Sequence, residues 1–388
     1  MLERLYTDAY IGNKRWLGQA LEAMPERLRP RGVDRLLGRA DPRLPPAKVT
    51  SFDLFGLACV RAQRNAEDSA ALTRVFATSA GEFCKRVIAA RPPRADAVWG
   101  FNGAALELFR WARQRGMRCI LEQTSAPRQL LRDLIAEELE RWPGWQLGLH
   151  LPPEPNPLAD REAEEWELAD RIVAGSRFVS DGIRQCGGPA HKCVVVPYGV
   201  DTQRFQPAAR DQGRLSECRL HVLFAGEVGL LKGVPYLLEA LRRLGPDHVE
   251  ARFAGKVALA GEKLRPYHTV ATFLGPVPRM HMPELYRWAD VLVLPSLSEG
   301  SAAVVYEALA AGVYVITTAN AGSVLSGASA SGEIVPIRSA EAIADALRRR
   351  ALGPNARPDR GTMPPVSLED YRDRLLQAAA TPERRMIA

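Results

Sequence analysis

The sequence predicts an α/β protein in two similar halves, each built on a parallel sheet. Short apolar runs alternate with amphipathic stretches along the chain, the pattern of buried strands and crossover helices. The 388 residues give room for two domains at roughly 150 residues each. Hydrophobic residues make up 46% and charged residues 25%, a balance that supplies a core and excludes disorder over the whole length.

In the first half the expected strands are Val49–Leu54, Ala97–Phe101, Arg118–Glu122, Arg171–Ala174 and Cys193–Pro197. Helices are expected at Leu106–Arg115, where Leu106, Phe109, Trp111 and Ala112 fall near one side, and at Ser125–Trp142, ended by Pro143-Gly144. The second half repeats the arrangement. Its strands read as His221–Ala225, Glu250–Ala254, Val270–Leu274, Val291–Leu294, Tyr314–Thr317 and Glu333–Pro336. Its helices read as Val234–Leu244, Met282–Ala289, Ala302–Ala311 and Ala340–Arg349.

Turn chemistry at Pro197–Asp201 and from Pro207 to Glu217 marks a hinge, and the segments Leu151–Pro157 and Gly353–Pro365 are Pro-rich linkers. A last amphipathic helix, Ser367–Ala378, opens with Ser367 as N-cap and Asp370 three residues on. The expected division is 1–197, 198–365, and 366–388 as a helix and tail returning to the first domain. Open parallel sheets bind ligands beyond the carboxyl ends of their strands, so this organisation points to a cleft enzyme with two Rossmann-like domains.

Composition narrows the function classes. The most apolar stretch, Ser301–Ala321, is broken by Glu307 and Gly312, so no membrane-spanning run is expected. Met1-Leu2-Glu3-Arg4 lacks the apolar core of a signal peptide. The six cysteines form no Cys-x-x-Cys pair, and the histidines are not spaced as metal ligands. Reduced cysteines in a cytoplasmic protein, with no metal and no cofactor, are the expectation.

Basic residues exceed acidic ones, 52 to 45, for a net charge of +7. They are spread out and not interleaved with aromatics, so no nucleic-acid partner is expected. The concentration from Lys14 to Arg43 is either a solvated face or a patch for an anionic lipid surface or charged substrate, which leaves peripheral membrane contact open.

Two segments carry the chemistry. Leu294–Ala308 runs from a buried strand through the polar loop Ser296–Gly300 into a helix starting near Ser301. The first amides of a helix lack internal partners and sit at the positive end of its dipole, a place for a diphosphate. Glu299 stands at the mouth and Glu307 about two turns further in, so both carboxylates can face one ligand. One would accept hydrogen bonds from sugar hydroxyls, the other from a ribose diol. The alternative for the pair is a helix-cap acid and a solvated helix residue. The second segment, His221–Ala240, runs from a strand into Gly226, through a loop bearing Lys232-Gly233, to a helix with Pro235 in its first turn. Gly226 and Gly233 let a ligand approach the backbone, and Lys232 can neutralise phosphate. The alternative is a tight turn with a surface lysine. Gly-x4-Gly-Lys-Ser/Thr is absent, so this is not a triphosphate P-loop.

These segments, in order with three others, resemble the GT-B glycosyltransferases, specifically the large retaining family that uses nucleotide-activated sugars (family four, group 1). Leu168–Val179 is similar to that family's late N-domain strand, Val195–Phe205 to its interdomain hinge and Phe224–Gly233 to its phosphate loop. Phe273–Val277 with Ala289–Ser296 is similar to its base-binding strand pair, and Glu299 to Glu307 matches its Glu-x7-Glu signature.

The resemblance implies that Glu299 contacts the transferred sugar, Glu307 binds ribose and Lys232 the diphosphate. It also implies that the Gly300 and Ser301 amides face sugar and phosphates, and that Val277 borders the base. The implied reaction is metal-independent transfer of a hexose from an NDP-sugar, with retained configuration, to a glycan, lipid-linked saccharide or small molecule in polysaccharide or glycoconjugate synthesis. Asn102, Glu122 and Gln123, at apparent strand ends, are acceptor-side candidates, each also readable as a capping or turn residue.

The chain departs from the family at several points. Glu227 stands where a basic residue is usual, and the region Trp99–Asn102 lacks the usual His. Asn320–Ser323 replaces a Gly-Gly, and the opening Leu5–Asp8 resembles a point just beyond the family's first strand. These departures motivate a second reading, a catalytically impaired relative that binds a nucleotide-sugar or a protein. A third is hydrolysis or epimerisation of the sugar nucleotide.

Overall fold

The computed structural model describes residues 2–24, 37, 39, 41, 43–207, 219–322, 325, 329–352 and 366–380. The linker Gly353–Pro365, most of the hinge stretch after Pro207 and much of Lys14–Arg43 lie outside these residues.

The chain begins with β1 (Leu5–Thr7), α1 (Arg15–Glu22) and β2 (Val49–Ser51), followed by α2 (Asp53–Arg64) and α3 (Ser69–Ala89). Next come β3 (Ala97–Phe101), α4 (Leu106–Arg113), β4 (Arg118–Gln123), α5 (Arg128–Arg141) and α6 (Pro157–Leu168). Then follow β5 (Arg171–Ala174), α7 (Arg177–Gln185) and β6 (Cys193–Val195). The second half contains β7 (Leu220–Ala225), α8 (Val234–Leu244), β8 (Val249–Ala254), β9 (Ala271–Gly275), α9 (Met282–Trp288) and β10 (Val291–Leu294). It closes with α10 (Ala303–Ala310), β11 (Tyr314–Thr317), β12 (Gly332–Ile334), α11 (Ala340–Leu352) and α12 (Leu368–Ala380).

Several elements differ from the sequence reading. A short strand not expected from the sequence, β1, pairs in parallel with β2 in a two-stranded sheet, Leu5 opposite Val49. The strand expected to reach Leu54 stops at Ser51, because Asp53 already belongs to a helix. The long helix α3 is capped by Asp68, whose carboxylate accepts from the Ala71 amide at 2.6 Å. The Pro-rich segment runs into α6, with Pro157 in its first turn and Asn156 accepting from the Leu158 amide.

Contacts group the chain into two compact units, Met1–Leu121 with Pro152–Ala169, and Glu122–Leu151 with Asp170–Ala388. This division does not follow the expected boundary at 197/198. Residues 122–151 belong with the second unit because their side chains are tied to its loops. Glu138, fully buried, accepts from Tyr236 Oη at 3.0 and 3.1 Å and from Arg338 Nε at 2.7 Å. Gln146 Oε1 accepts from the Leu230 amide at 2.7 Å.

In the first unit, Glu165 caps α4. Its fully buried carboxylate accepts from the amides of Gly103, Ala105 and Leu106 at 2.5, 2.8 and 3.1 Å. Burial pushes its pKa up to about 7 against the pull of those amides. Part of the basic N-terminal stretch is neutralised from within: Lys14 pairs with Asp53 and Arg39 with Asp8, both at 2.7 Å.

In the second unit, six parallel strands are ordered β12-β11-β10-β7-β8-β9. β7, β10 and β11 are buried along their whole length, as strands covered on both faces must be. Phe224, Phe253 and Phe273 lie side by side across β7, β8 and β9, with ring centroids 5.2 and 5.0 Å apart. In the same unit β5 pairs with β6, and α12 packs back on β5, an element of the first half of the chain. Ser367 and Asp370 form the expected reciprocal cap of α12. Among the described residues no helix is long and apolar enough to cross a membrane.

Candidate functional site

The strand order of the six-stranded sheet reverses direction at β7 and β10, which are neighbours although far apart in sequence. Crevices at such a switch point, beyond the carboxyl ends of the strands, are where open α/β sheets take ligands. β7 leads into Gly226 and the loop with Lys232; β10 leads into the loop with Glu299.

The two loops are fitted closely together. Gly233 has φ +68, and a Cβ there would sit 2.1 Å from the Pro295 carbonyl oxygen. The Leu297 amide donates to the Leu231 carbonyl at 2.9 Å. This approach brings Lys232 Nζ into contact with Glu299 Oε1. Ser296 Oγ donates to the same oxygen at 2.9 Å, and the Glu299 amide donates to the Asn320 carbonyl at 3.0 Å.

Helix α10 begins at Ala303, one residue after the start of the expected helix Ala302–Ala311, with no side-chain cap at Ala302. Gly300 lies against the end of β4: a Cβ on it would be 1.9 Å from the Thr124 carbonyl oxygen. The Ser301 hydroxyl is engaged within the fold, 2.8 Å from Tyr306 Oη, which in turn donates to the Gly322 carbonyl at 3.0 Å. The Ser301 hydroxyl thus braces the loop.

Glu307 lies in α10 and is 7% exposed. Its Oε2 accepts from Tyr286 Oη at 2.8 Å, and Arg279 NH2 stands 3.7 Å from Oε1. Burial pushes its pKa up, while Tyr286 and Arg279 pull it down. It is therefore no solvated helix residue.

Glu299, Lys232, Gly233 and Gly300 come together at the two loops. Gly226 follows β7, its amide bonded to the Ala254 carbonyl at 2.9 Å. Val277, just past β9, is half-buried against the same core. Glu227 turns toward Lys256, 4.0 Å away.

Of the acceptor-side candidates, Glu122 and Gln123 end β4, next to the Thr124 carbonyl that meets Gly300. Gln123 is fully buried and donates to the Ser125 carbonyl at 3.1 Å. Asn102 belongs to the first unit, where it donates to Glu162 at 3.0 Å. Trp142 and Trp145 pack on each other at 4.8 Å, and Trp142 on Tyr236 at 5.5 Å. Among the described residues no group of three or more His, Cys, Asp or Glu side chains is placed to hold a metal.

Sequence reasoning missed Tyr286 and Thr124, and it named Ser296 and Asn320 only within the segments Ser296–Gly300 and Asn320–Ser323, without a role of their own. Their only sequence signal is position: each lies at or near an end of a strand or helix that borders these loops.

Residues 219–351 match the family described as glycosyl transferases group 1. A D-inositol 3-phosphate glycosyltransferase of Geodermatophilus obscurus is 32% identical over 194 residues, 44% of this chain and 42% of that protein. One of Pseudarthrobacter chlorophenolicus is 33% identical over 178 residues, 41% and 42% of the two chains. The chain thus spans less than half the length of these curated relatives. Among solved structures, Anabaena HepE in complex with UDP and glucose has a TM-score of 0.61 at 15% identity, covering 98% of this chain and 100% of that one. Sucrose-phosphate synthase from Thermosynechococcus elongatus has a TM-score of 0.61 at 19% identity, covering 78% of each chain. These likenesses show the fold, two Rossmann-like domains of the GT-B class. Over residues 219–351 the chain is thus similar to glycosyl transferases group 1, and its fold is that of the GT-B class.

Proposed function

We propose that the protein transfers a hexose from an NDP-sugar to a glycan, lipid-linked saccharide or small-molecule acceptor, with retention of configuration and without a metal ion. The observation that carries this reading is the Lys232–Glu299 contact at the switch point, with Glu307 buried eight residues on. Lys232 takes the diphosphate, Glu299 the sugar hydroxyls and Glu307 the ribose diol. Gly226, Gly233, Gly300, Ser301 and Val277 line the donor, and Glu122, Gln123 and Asn102 serve the acceptor side.

The sugar C1–O bond to the leaving diphosphate breaks as the acceptor hydroxyl bonds C1 from the same face. The acceptor proton passes to a leaving phosphate oxygen. The protein contributes positioning and charge balance, with Lys232 offsetting the charge that develops on the diphosphate.

Incubation with UDP-, GDP- and ADP-hexoses and saccharide acceptors tests this. Acceptor-dependent NDP release, insensitive to EDTA, with an NMR-assigned product of unchanged anomeric configuration is expected. NDP release equal with and without acceptor points to hydrolysis. Saturable donor binding with no turnover supports the binding-module reading, which Glu227 motivates.

A further inference from the structure

Glu307 and Tyr286 form a buried pair that the donor reading leaves unused on one side. Tyr286 is fully buried, so the core around it holds its ring in place, and Phe205 is one neighbour among others, edge-to-face at 5.6 Å. The Tyr286 hydroxyl has one proton to give. It donates to Glu307 Oε2 at 2.8 Å, the Val304 carbonyl being a longer alternative at 3.4 Å. The two carboxylate oxygens are thus held differently. Oε2 is bound from the core side, and Oε1 has the guanidinium of Arg279, an exposed side chain, 3.7 Å away.

The last torsion of a glutamate is broad and roughly two-fold, so an unheld carboxylate samples many planes. A vicinal diol that donates to one carboxylate needs a single plane, and ordering it at binding costs affinity. We propose that Tyr286 is a positioning residue for nucleotide recognition: its hydroxyl fixes the plane of the Glu307 carboxylate so that the carboxylate discriminates a ribose diol from a deoxyribose. The inference rests on Glu307 as the ribose ligand. The same hydrogen bond favours the ionised carboxylate in a site where burial disfavours it.

Tyr286→Phe removes the hydroxyl and keeps the ring. Wild type, Tyr286→Phe, Glu307→Gln and Phe205→Leu are titrated calorimetrically with UDP, GDP and ADP and with their 2′-deoxy counterparts. Wild type is expected to prefer the ribose form of the nucleotide it binds. Tyr286→Phe should shrink that preference about tenfold, with the affinity for the deoxy form nearly unchanged. Phe205→Leu, which disturbs the packing and spares the hydroxyl, should keep it. Preference lost in Glu307→Gln but intact in Tyr286→Phe overturns the positioning role and leaves the ribose reading standing. Preference intact in Glu307→Gln, or absent from wild type, overturns the ribose reading itself. Equal loss in Phe205→Leu and Tyr286→Phe makes the effect one of packing and overturns the proposal.

Discussion

Lys232 and Glu299 hold each other across the loops that follow β7 and β10, Nζ against Oε1, with Ser296 Oγ donating to the same carboxylate oxygen. The pair is partly shielded, with side-chain exposures of 26% and 17%. The free site therefore neutralises its own charge. On the proposed reading, a diphosphate that engages Lys232 loosens Glu299 and turns it toward the sugar. Arrival of the leaving group and presentation of the sugar-binding acid become one event.

Removing the cation tests the phosphate role on which that coupling rests. Lys232→Ala should weaken NDP by about tenfold or more, the value of one charge-assisted contact, and leave nucleoside binding unchanged. Calorimetric titration with both ligands checks it. Equal loss for nucleoside and NDP contradicts the phosphate role.

Gly300→Ala places a methyl group against the Thr124 carbonyl, 1.9 Å from its oxygen. Backbone cannot yield as a side-chain tip can, so the loop bearing Glu299 must shift. A cost of about 1–3 kcal/mol is expected, as for other overpacked sites. Differential scanning calorimetry should record a melting point lower by several degrees, with donor turnover falling further than stability does. An unchanged melting point and unchanged turnover would show that the loop has room.

Much of this was readable in the sequence, for physical reasons. β10 and β11 are buried on both faces, so they read as unbroken apolar runs, and both were expected at their observed limits. Glu299, Glu307 and Lys232 were singled out from local spacing, because strand-loop-helix chemistry is local, and the structure brings Lys232 against Glu299. β1 and β2 each have three half-buried or buried residues, too short to show a period, and the boundary near Asp53 was misplaced accordingly. The Lys232–Glu299 contact spans 67 residues and the Tyr286–Glu307 bond 21, and no sequence period reports either. The attachment of residues 122–151 to the second unit likewise rests on tertiary bonds such as Glu138 to Tyr236.

Stability should depend on pH through Glu165. Its folded pKa, about 7, lies above the ordinary 4.5 because burial disfavours the carboxylate. The folded state therefore holds the proton more tightly than the unfolded state. Its contribution is fully present below about pH 4.5, declines as pH rises toward 7, and is lost above that, a change of up to about 3 kcal/mol. Denaturant melts of wild type and Glu165→Gln between these limits should show wild type losing stability relative to the variant as pH rises. Parallel profiles contradict the assignment.

The most direct measurement compares turnover and NDP affinity in Glu299→Gln. The variant keeps the shape of the side chain and removes its charge, so Lys232 loses its internal counter-ion. Turnover should fall by orders of magnitude while NDP binds at least as tightly as to wild type. Turnover equal to that of wild type would contradict the account of Glu299 as the acid that holds the transferred sugar.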